Sequence, residues 1–273
     1  MRYSFMSFST PTLDLHATLE TAAALGYQGI EPRAQAGHAH GIERTLSAAG
    51  RIGVRRLCEG AGVEIACLAV SCRFANPADA PAHMDDAEAF MHLAADIGCS
   101  RLRVFGGALP GGMARAEAVA QVAGCLSQLA PAAQREGVTI CLETHDDWCD
   151  PDNAVAVMLA VGQPSIAVNW DVMHTQRQGR HSMSEAYAKL RPWVRHLHVH
   201  DGADSLGELK VLPTGTGDFD HREVMRLLQA DGYDGYLSGE WIEGTSDPDF
   251  QAGHLSGELA TLKSYEADLR REA

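Results

Sequence analysis

Five times along this chain a segment of helical periodicity ends at a glycine, and a short polar step then leads into an apolar run: LGYQGIE, GAGVEIACL, IGCSRLRVF, EGVTICLE and DGYDGYLS. Glycine at a helix C-terminus supplies the left-handed backbone that stops the helix. Apolar runs with period-two or continuous burial, alternating with longer helical segments, are the pattern of successive βα units around a parallel sheet. Eight strands can be placed, near residues 2–8, 28–32, 63–70, 101–105, 138–143, 166–170, 195–200 and 235–240, with helices between them. The expected fold is α/β: a single (β/α)8 TIM barrel over residues 1–273, an architecture that commonly takes about 250 residues. A doubly wound open sheet would need a GxGxxG turn after its first strand, and none follows here.

In a barrel of this kind the short helix-to-strand turns belong to the stability face. The longer stretches after the strands (71–82, 106–114, 171–183 and 201–220) belong to the opposite face, where chemistry is carried. Four residues stand at that end of four separate strands: Glu143 in VTICLETHDD, Asp171 in IAVNWDVMH, His198 in VRHLHVHD and Glu240 in GYLSGEW. An ionised carboxylate in a partly dry pocket is costly unless a cation or hydrogen bonds compensate it, and one metal ion removes that cost for several groups together. Three carboxylates and one imidazole suit Mn²⁺, with Mg²⁺, Co²⁺ or Zn²⁺ as the other choices, whereas a thiolate-rich set would indicate structural zinc. His196, His198 and His200 share strand parity, so each is a candidate imidazole ligand; His198 is taken first, with His200 as runner-up and otherwise a substrate contact, and the histidines that do not bind the metal hydrogen-bond a ligand or substrate near the barrel mouth.

Other residues on the same face are candidate substrate contacts. His145 and Trp148 follow Glu143, where an imidazole can bond hydroxyls and an indole can stack on a sugar's C–H face. Arg103 is an inward charge that either binds a substrate oxygen, orients Glu143 or forms an interior salt bridge. Glu31 and Arg33 share parity and point either at substrate or into a structural ion pair. His38 and His40 either close over the substrate or lie in a solvated loop. Trp170 and Trp241 have parity opposite to the neighbouring ligands and are read as core. Lys210 is the one basic contact offered by the late loops, among Asp201, Asp204, Asp218 and Glu243, which argues against a phosphorylated substrate.

The formal charge of −14 repels phosphodiester backbones, and no basic stripe offsets it, since Arg51, Arg55 and Arg56 fit the outer face of a helix. No nucleic-acid partner is expected. Seven cysteines without a CxxC pair fit buried thiols in a reducing cytosol. No stretch approaches the ~18 apolar residues of a membrane span, so a cytoplasmic protein without a membrane partner is expected.

GYQGIEPR, LETH, NWDVMH with its D-x-x-H spacing, HLHVHD, PTGTGDFD and GYLSGEW, in this order, resemble the sugar phosphate isomerase/epimerase superfamily with its xylose isomerase-like TIM barrel. The resemblance spans nearly the whole chain. It implies a single divalent metal held by Glu143, Asp171, His198 and Glu240, with Glu143 and Glu240 also moving protons. It also implies substrate contact by His174. Relatives often read H-x-[KN]-D where this chain has HVHD, placing His200 at the departure and Asp201 as the acid; the glycines of PTGTGDFD are read as shaping a turn. The implied reaction is isomerisation or epimerisation of a small-molecule sugar or sugar derivative, by proton transfer through a metal-stabilised enediolate. The alternative is a lyase or dehydratase acting on a keto-sugar or keto-glycoside by the same α-proton abstraction followed by β-elimination. Endonuclease relatives use extra histidines, and AVSCRF supplies none. Relatives often form dimers or tetramers, so a homo-oligomer is among the expected assemblies.

Overall fold

The computed structural model describes residues 1–205, 208–241 and 248–272. Among the described residues nine strands form one parallel sheet: β1 (Arg2–Met6), β2 (Gly29–Glu31), β3 (Glu64–Ile65), β4 (Leu68–Arg73), β5 (Arg101–Phe105), β6 (Thr139–Glu143), β7 (Ile166–Asp171), β8 (Val194–Val199) and β11 (Tyr236–Gly239). Their order is β3-β2-β1-β11-β8-β7-β6-β5-β4. Its two ends, β3 and β4, are consecutive halves of one pass, and a bridge between Arg33 and Ala69 joins the β2 side to the β4 side. The sheet is therefore a nearly closed barrel of eight passes, the TIM barrel expected from the sequence.

Helices α1 (Leu15–Leu25), α2 (Ala48–Ala61), α3 (Ala80–Ile97), α4 (Arg115–Glu136), α5 (Pro151–Val161), α6 (Val172–Arg177), α7 (Met183–Leu190), α8 (His221–Ala230) and α9 (Pro248–Glu272) occupy the intervals. The glycines that announce the rhythm do what the backbone requires, with Gly26, Gly62, Gly98, Gly137 and Gly232 at φ 87°, 65°, 83°, 68° and 66°. The apolar side chains of strands and helices form a continuous core between the two layers. Trp170 stacks on Tyr187 with ring centroids 5.4 Å apart, and both Trp170 and Trp241 are buried. All seven cysteines are buried thiols. Among the described residues no helix is long and apolar enough to cross a membrane.

Two expectations are corrected. The third strand does not run unbroken over 63–70: it is interrupted at Ala66 and Cys67 and continues to Arg73, so part of the presumed loop 71–82 is strand. The stretch 201–220 is not all loop, because Asp201–Ser205 (β9) and Glu208–Leu212 (β10) pair antiparallel. Polar sequence over 201–205 conceals this hairpin, since its first strand carries no apolar face to reveal a period of two.

The barrel interior departs from the usual filling of branched apolar side chains. Glu31, Arg103, Glu143, Asn169, Asp171, His196 and His198 are all buried within it.

Candidate metal centre and active site

Strand register brings the four end-of-strand residues together. Asp171 is paired with His198 across β7 and β8, Glu143 with Asn169 across β6 and β7, and Glu240 follows directly on β11, whose Gly239 pairs with Val199. Each of Glu143, Asp171, His198 and Glu240 offers one donor atom, and the four atoms lie within 4.8 Å of one another. The His198 Nδ1 is 2.7 Å from Glu143 Oε1 and 3.0 Å from Glu240 Oε2. Glu240 is the most open of the set, 8% exposed against 0–1% for the others.

The charges are compensated in a definite way. Burial would raise the Glu143 carboxyl, but the Arg103 guanidinium and the His198 imidazole outweigh it and hold it at about 2. Arg103 Nε stands 3.3 Å from Glu143 Oε2 without hydrogen-bond alignment, while Nη1 donates to Val70 O at 3.1 Å. Arg103 is thus the interior salt-bridge partner of Glu143. Burial disfavours a charged His198, yet Glu31, Glu240 and Glu143 carry its pKa well above the ordinary value.

A second cluster adjoins the first at Asp171, whose Oδ1 accepts from His174 N at 3.0 Å and caps α6. His200 Nε2 donates to Asp171 at 2.9 and 3.0 Å, and the His174 Nε2 lies 4.0 Å from Asp171 Oδ2. The geometry therefore groups His198 with the four-donor set and places His200 beside Asp171 and His174. His145 packs its ring 4.5 Å from His174 and 5.0 Å from Phe105. Burial would lower the His145 pKa, but its bond to Asp146 and the charges of Glu143 and Asp171 raise it to about 9.

The remaining candidates separate from this group. Trp148 is fully buried and donates Nε1–H to Gly107 O at 2.8 Å. A Cβ added at Gly106 would stand 2.2 Å from that indole nitrogen. Gly106→Ala is accordingly expected to cost about 1–3 kcal/mol by overpacking, read as a lower urea midpoint at constant m; an unchanged midpoint would contradict this packing. Lys210 is exposed on β10, and no described hydrogen bond or ion pair joins it to the four donors. Glu243 lies outside the described residues. His38 lies 2.8 Å from Ser7 Oγ and His40 is buried, so the latter is not in a solvated loop. Arg33 binds Ser71 Oγ at 2.6 Å and makes no ion pair with Glu31.

One residue of the site, Asn169, escaped sequence reasoning, and Asp201, read there as the acid of H-x-[KN]-D, has a role in the turn that the sequence did not show. Asn169 places Nδ2 3.1 Å from His198 Nδ1; its parity with Asp171 was the available signal. Asp201 accepts four backbone N–H groups, from Gly202 at 2.8 Å, Gly215 at 2.7 Å, Gly217 at 3.0 Å and Phe219 at 3.3 Å. It ties the end of β8 to the PTGTGDFD turn, whose glycines approach its carboxylate closely: a Cβ on Gly217 would meet Asp201 Oδ1 at 2.2 Å. Those glycines shape a turn, as expected.

The donor set fits a divalent cation. Among the described residues, Glu143 Oε2 and Glu240 Oε2 are buried with no aligned hydrogen bond, only the nearby Arg103 and His198 nitrogens, a costly condition that a shared cation relieves.

Residues 19–263 match the family described as xylose isomerase-like TIM barrel, and the chain belongs to that family. It is 26% identical over 168 residues to a Mus musculus protein named "Putative hydroxypyruvate isomerase", a match covering 55% of this chain and 58% of that protein. A Homo sapiens protein of the same name is 24% identical over 188 residues, covering 62% of this chain and 66% of the relative. The chain thus spans less than two thirds of both relatives. Among solved structures, an L-ribulose 3-epimerase superposes with TM-score 0.81 at 16% identity, covering 99% of this chain and 96% of the other. The Bacillus anthracis structure titled "probable 3-DHS dehydratase AsbF" superposes with TM-score 0.79 at 17% identity, covering 96% and 99%. The IOLI protein with a bound zinc atom superposes with TM-score 0.78 at 16% identity, covering 98% of each chain. At these identities the structures share the fold.

Proposed function

We propose that this protein is a divalent-metal-dependent isomerase or epimerase of a sugar or sugar derivative. The observation that carries the proposal is the meeting of Glu143, Asp171, His198 and Glu240 donor atoms within 4.8 Å, with two glutamates reaching one imidazole nitrogen. A bound divalent ion would hold a carbonyl and its neighbouring hydroxyl and acidify the adjacent C–H. Glu143, ionised across the neutral range, is equipped to take a proton. Glu240, which is more open, is placed to return one. Among the described residues the Nδ1 atoms of His174 and His200 are buried without hydrogen-bond partners, and they supply hydrogen bonds for substrate hydroxyls. Burial, with the neighbouring His145 and His200, outweighs Asp171 and keeps His174 neutral at pH 7, so its Nδ1 can donate or accept.

The relatives named as hydroxypyruvate isomerases add that compound to the ketose panel worth testing. Protein stripped with chelator and refilled with Mn²⁺ or Co²⁺ is expected to exchange substrate C–H for solvent deuterium only in the refilled state. Absence of exchange with free ketoses, keto-glycosides and hydroxypyruvate alike would refute the proposal.

A β-elimination outcome is the second reading. The raised pKa of His145, about 9, leaves a protonated imidazole beside Glu143 that can deliver a proton to a departing hydroxyl. Product analysis by NMR separates the two, since elimination yields an unsaturated product and isomerisation none.

A further inference from the structure

Glu31 ends β2, which is separated from β8 in the sheet by β1 and β11. Its carboxylate therefore crosses the barrel interior to reach the histidines of β8. It accepts from His196 Nε2 at 2.7 Å and from His198 Nε2 at 3.0 Å, one oxygen to each ring, and all three side chains have no exposure. A buried carboxylate held between two imidazoles contributes little or nothing to stability over well-packed apolar side chains of the same volume. In a barrel whose interior is ordinarily apolar, its retention calls for another explanation.

That explanation lies in the other nitrogen of His198. An imidazole can offer a lone pair at one nitrogen only while the second carries the proton, and the partner of the second decides which is which. Glu31 is an obligate acceptor when ionised, and it faces Nε2. Nδ1 faces Glu143 Oε1 and Glu240 Oε2.

We propose that Glu31 is a positioning residue for His198: it holds the Nε2–H tautomer and the ring orientation that aim the Nδ1 lone pair at the centre formed with Glu143, Asp171 and Glu240. His196 completes the device by occupying the second Glu31 oxygen, so the carboxylate cannot swing away from His198. Without this brace the Nδ1–H tautomer would place a proton where a cation belongs, and a rotated ring would offer no donor. The inference rests on the four-donor set being a divalent cation site, and its test reads binding and protonation without turnover.

The test uses the full chain. Zn²⁺ affinity is measured by competition with a chromogenic chelator for the wild type, Glu31→Gln and Glu31→Ala, and the ring ¹⁵N shifts of His198 are recorded in the zinc-loaded wild type. One Zn²⁺ per chain is expected, with Nε2 protonated and Nδ1 metal-shifted. Loss of the carboxylate in Glu31→Ala is expected to weaken binding by about 10–100-fold. Glu31→Gln, which keeps the shape and one acceptor oxygen but not the charge, is expected to fall between the two and guards against a variant that fails to fold. Variants that fold and bind Zn²⁺ within twofold of the wild type would overturn the proposal, as would a wild-type spectrum with the proton on Nδ1. A second equivalent of Zn²⁺ lost on substitution would also overturn it, by making Glu31 a ligand rather than a brace. Failure of the wild type to bind any divalent ion is a different result, one that removes the cation site itself.

Discussion

Glutamine in place of Glu143 is expected to slow metal-dependent exchange of the substrate C–H by about 10²–10⁴-fold, the range associated with losing a positioned general base. The substitution keeps the side chain's length and shape and one acceptor oxygen, but removes the charge and the basic lone pair that takes the proton. Glu143 is the better candidate for this role because its environment fixes both its charge and its place. Arg103 lies at one oxygen and His198 at the other, and together they keep the carboxyl ionised at any pH well above about 2. Metal occupancy, measured beside the rate at saturating Mn²⁺, separates a lost base from a lost ligand. A Glu143→Gln rate within tenfold of the wild type at full occupancy would remove Glu143 from proton transfer. The matched variant Glu240→Gln tests whether the second carboxylate moves the returning proton.

The residues that make this experiment obvious were legible before the fold. Each of the four donors follows an apolar run that ends in a polar residue, and a barrel places all such ends on one rim. His196, His198 and His200 could not be separated by parity alone, because period two treats them alike. What separates them is height along the strand. His196 lies opposite Asn169, one layer below the pair formed by Asp171 and His198, while His200 lies beyond the last paired residue of β8. The contact of Glu31 with β8 was illegible for a related reason: two intervening strands separate them in the sheet, and only closure of the barrel brings their side chains across the interior. Trp148 illustrates the opposite limit. Its position after Glu143 suggested a sugar platform, but Gly106 and Gly107, some forty residues earlier, supply the surface and the acceptor that hold it as packing. The Asp201 clamp depended likewise on a turn whose glycines could be recognised, although what they surrounded could not.

Arg103 carries the second large effect, on stability rather than rate. Replacing it with methionine keeps much of the apolar stem but leaves Glu143 without its guanidinium inside a barrel where both side chains are 1% exposed. Removing one member of a buried pair typically costs about 3–5 kcal/mol, because the remaining charge stays desolvated with part of its compensation gone, here leaving only the His198 imidazole at the other oxygen. The metal-free Arg103→Met protein should therefore unfold at much lower urea than the wild type at pH 7. The pH dependence has a definite sign. In the wild type the folded Glu143 value of about 2 lies below its ordinary 4.5, so ionised Glu143 stabilises the fold fully above the ordinary value and loses that contribution as pH falls toward 2. Without Arg103 the folded value rises, burial being the largest influence left, and protonation relieves the stranded charge. The deficit of the variant should accordingly shrink between pH 7 and pH 4 instead of staying constant. A divalent ion that binds the native four-donor centre should also restore stability, by an amount that grows with the logarithm of its concentration over its dissociation constant. Equal urea midpoints for variant and wild type at pH 7, or a deficit indifferent to pH, would mean that Arg103 does not compensate Glu143 and that the interior charge of the barrel is balanced elsewhere.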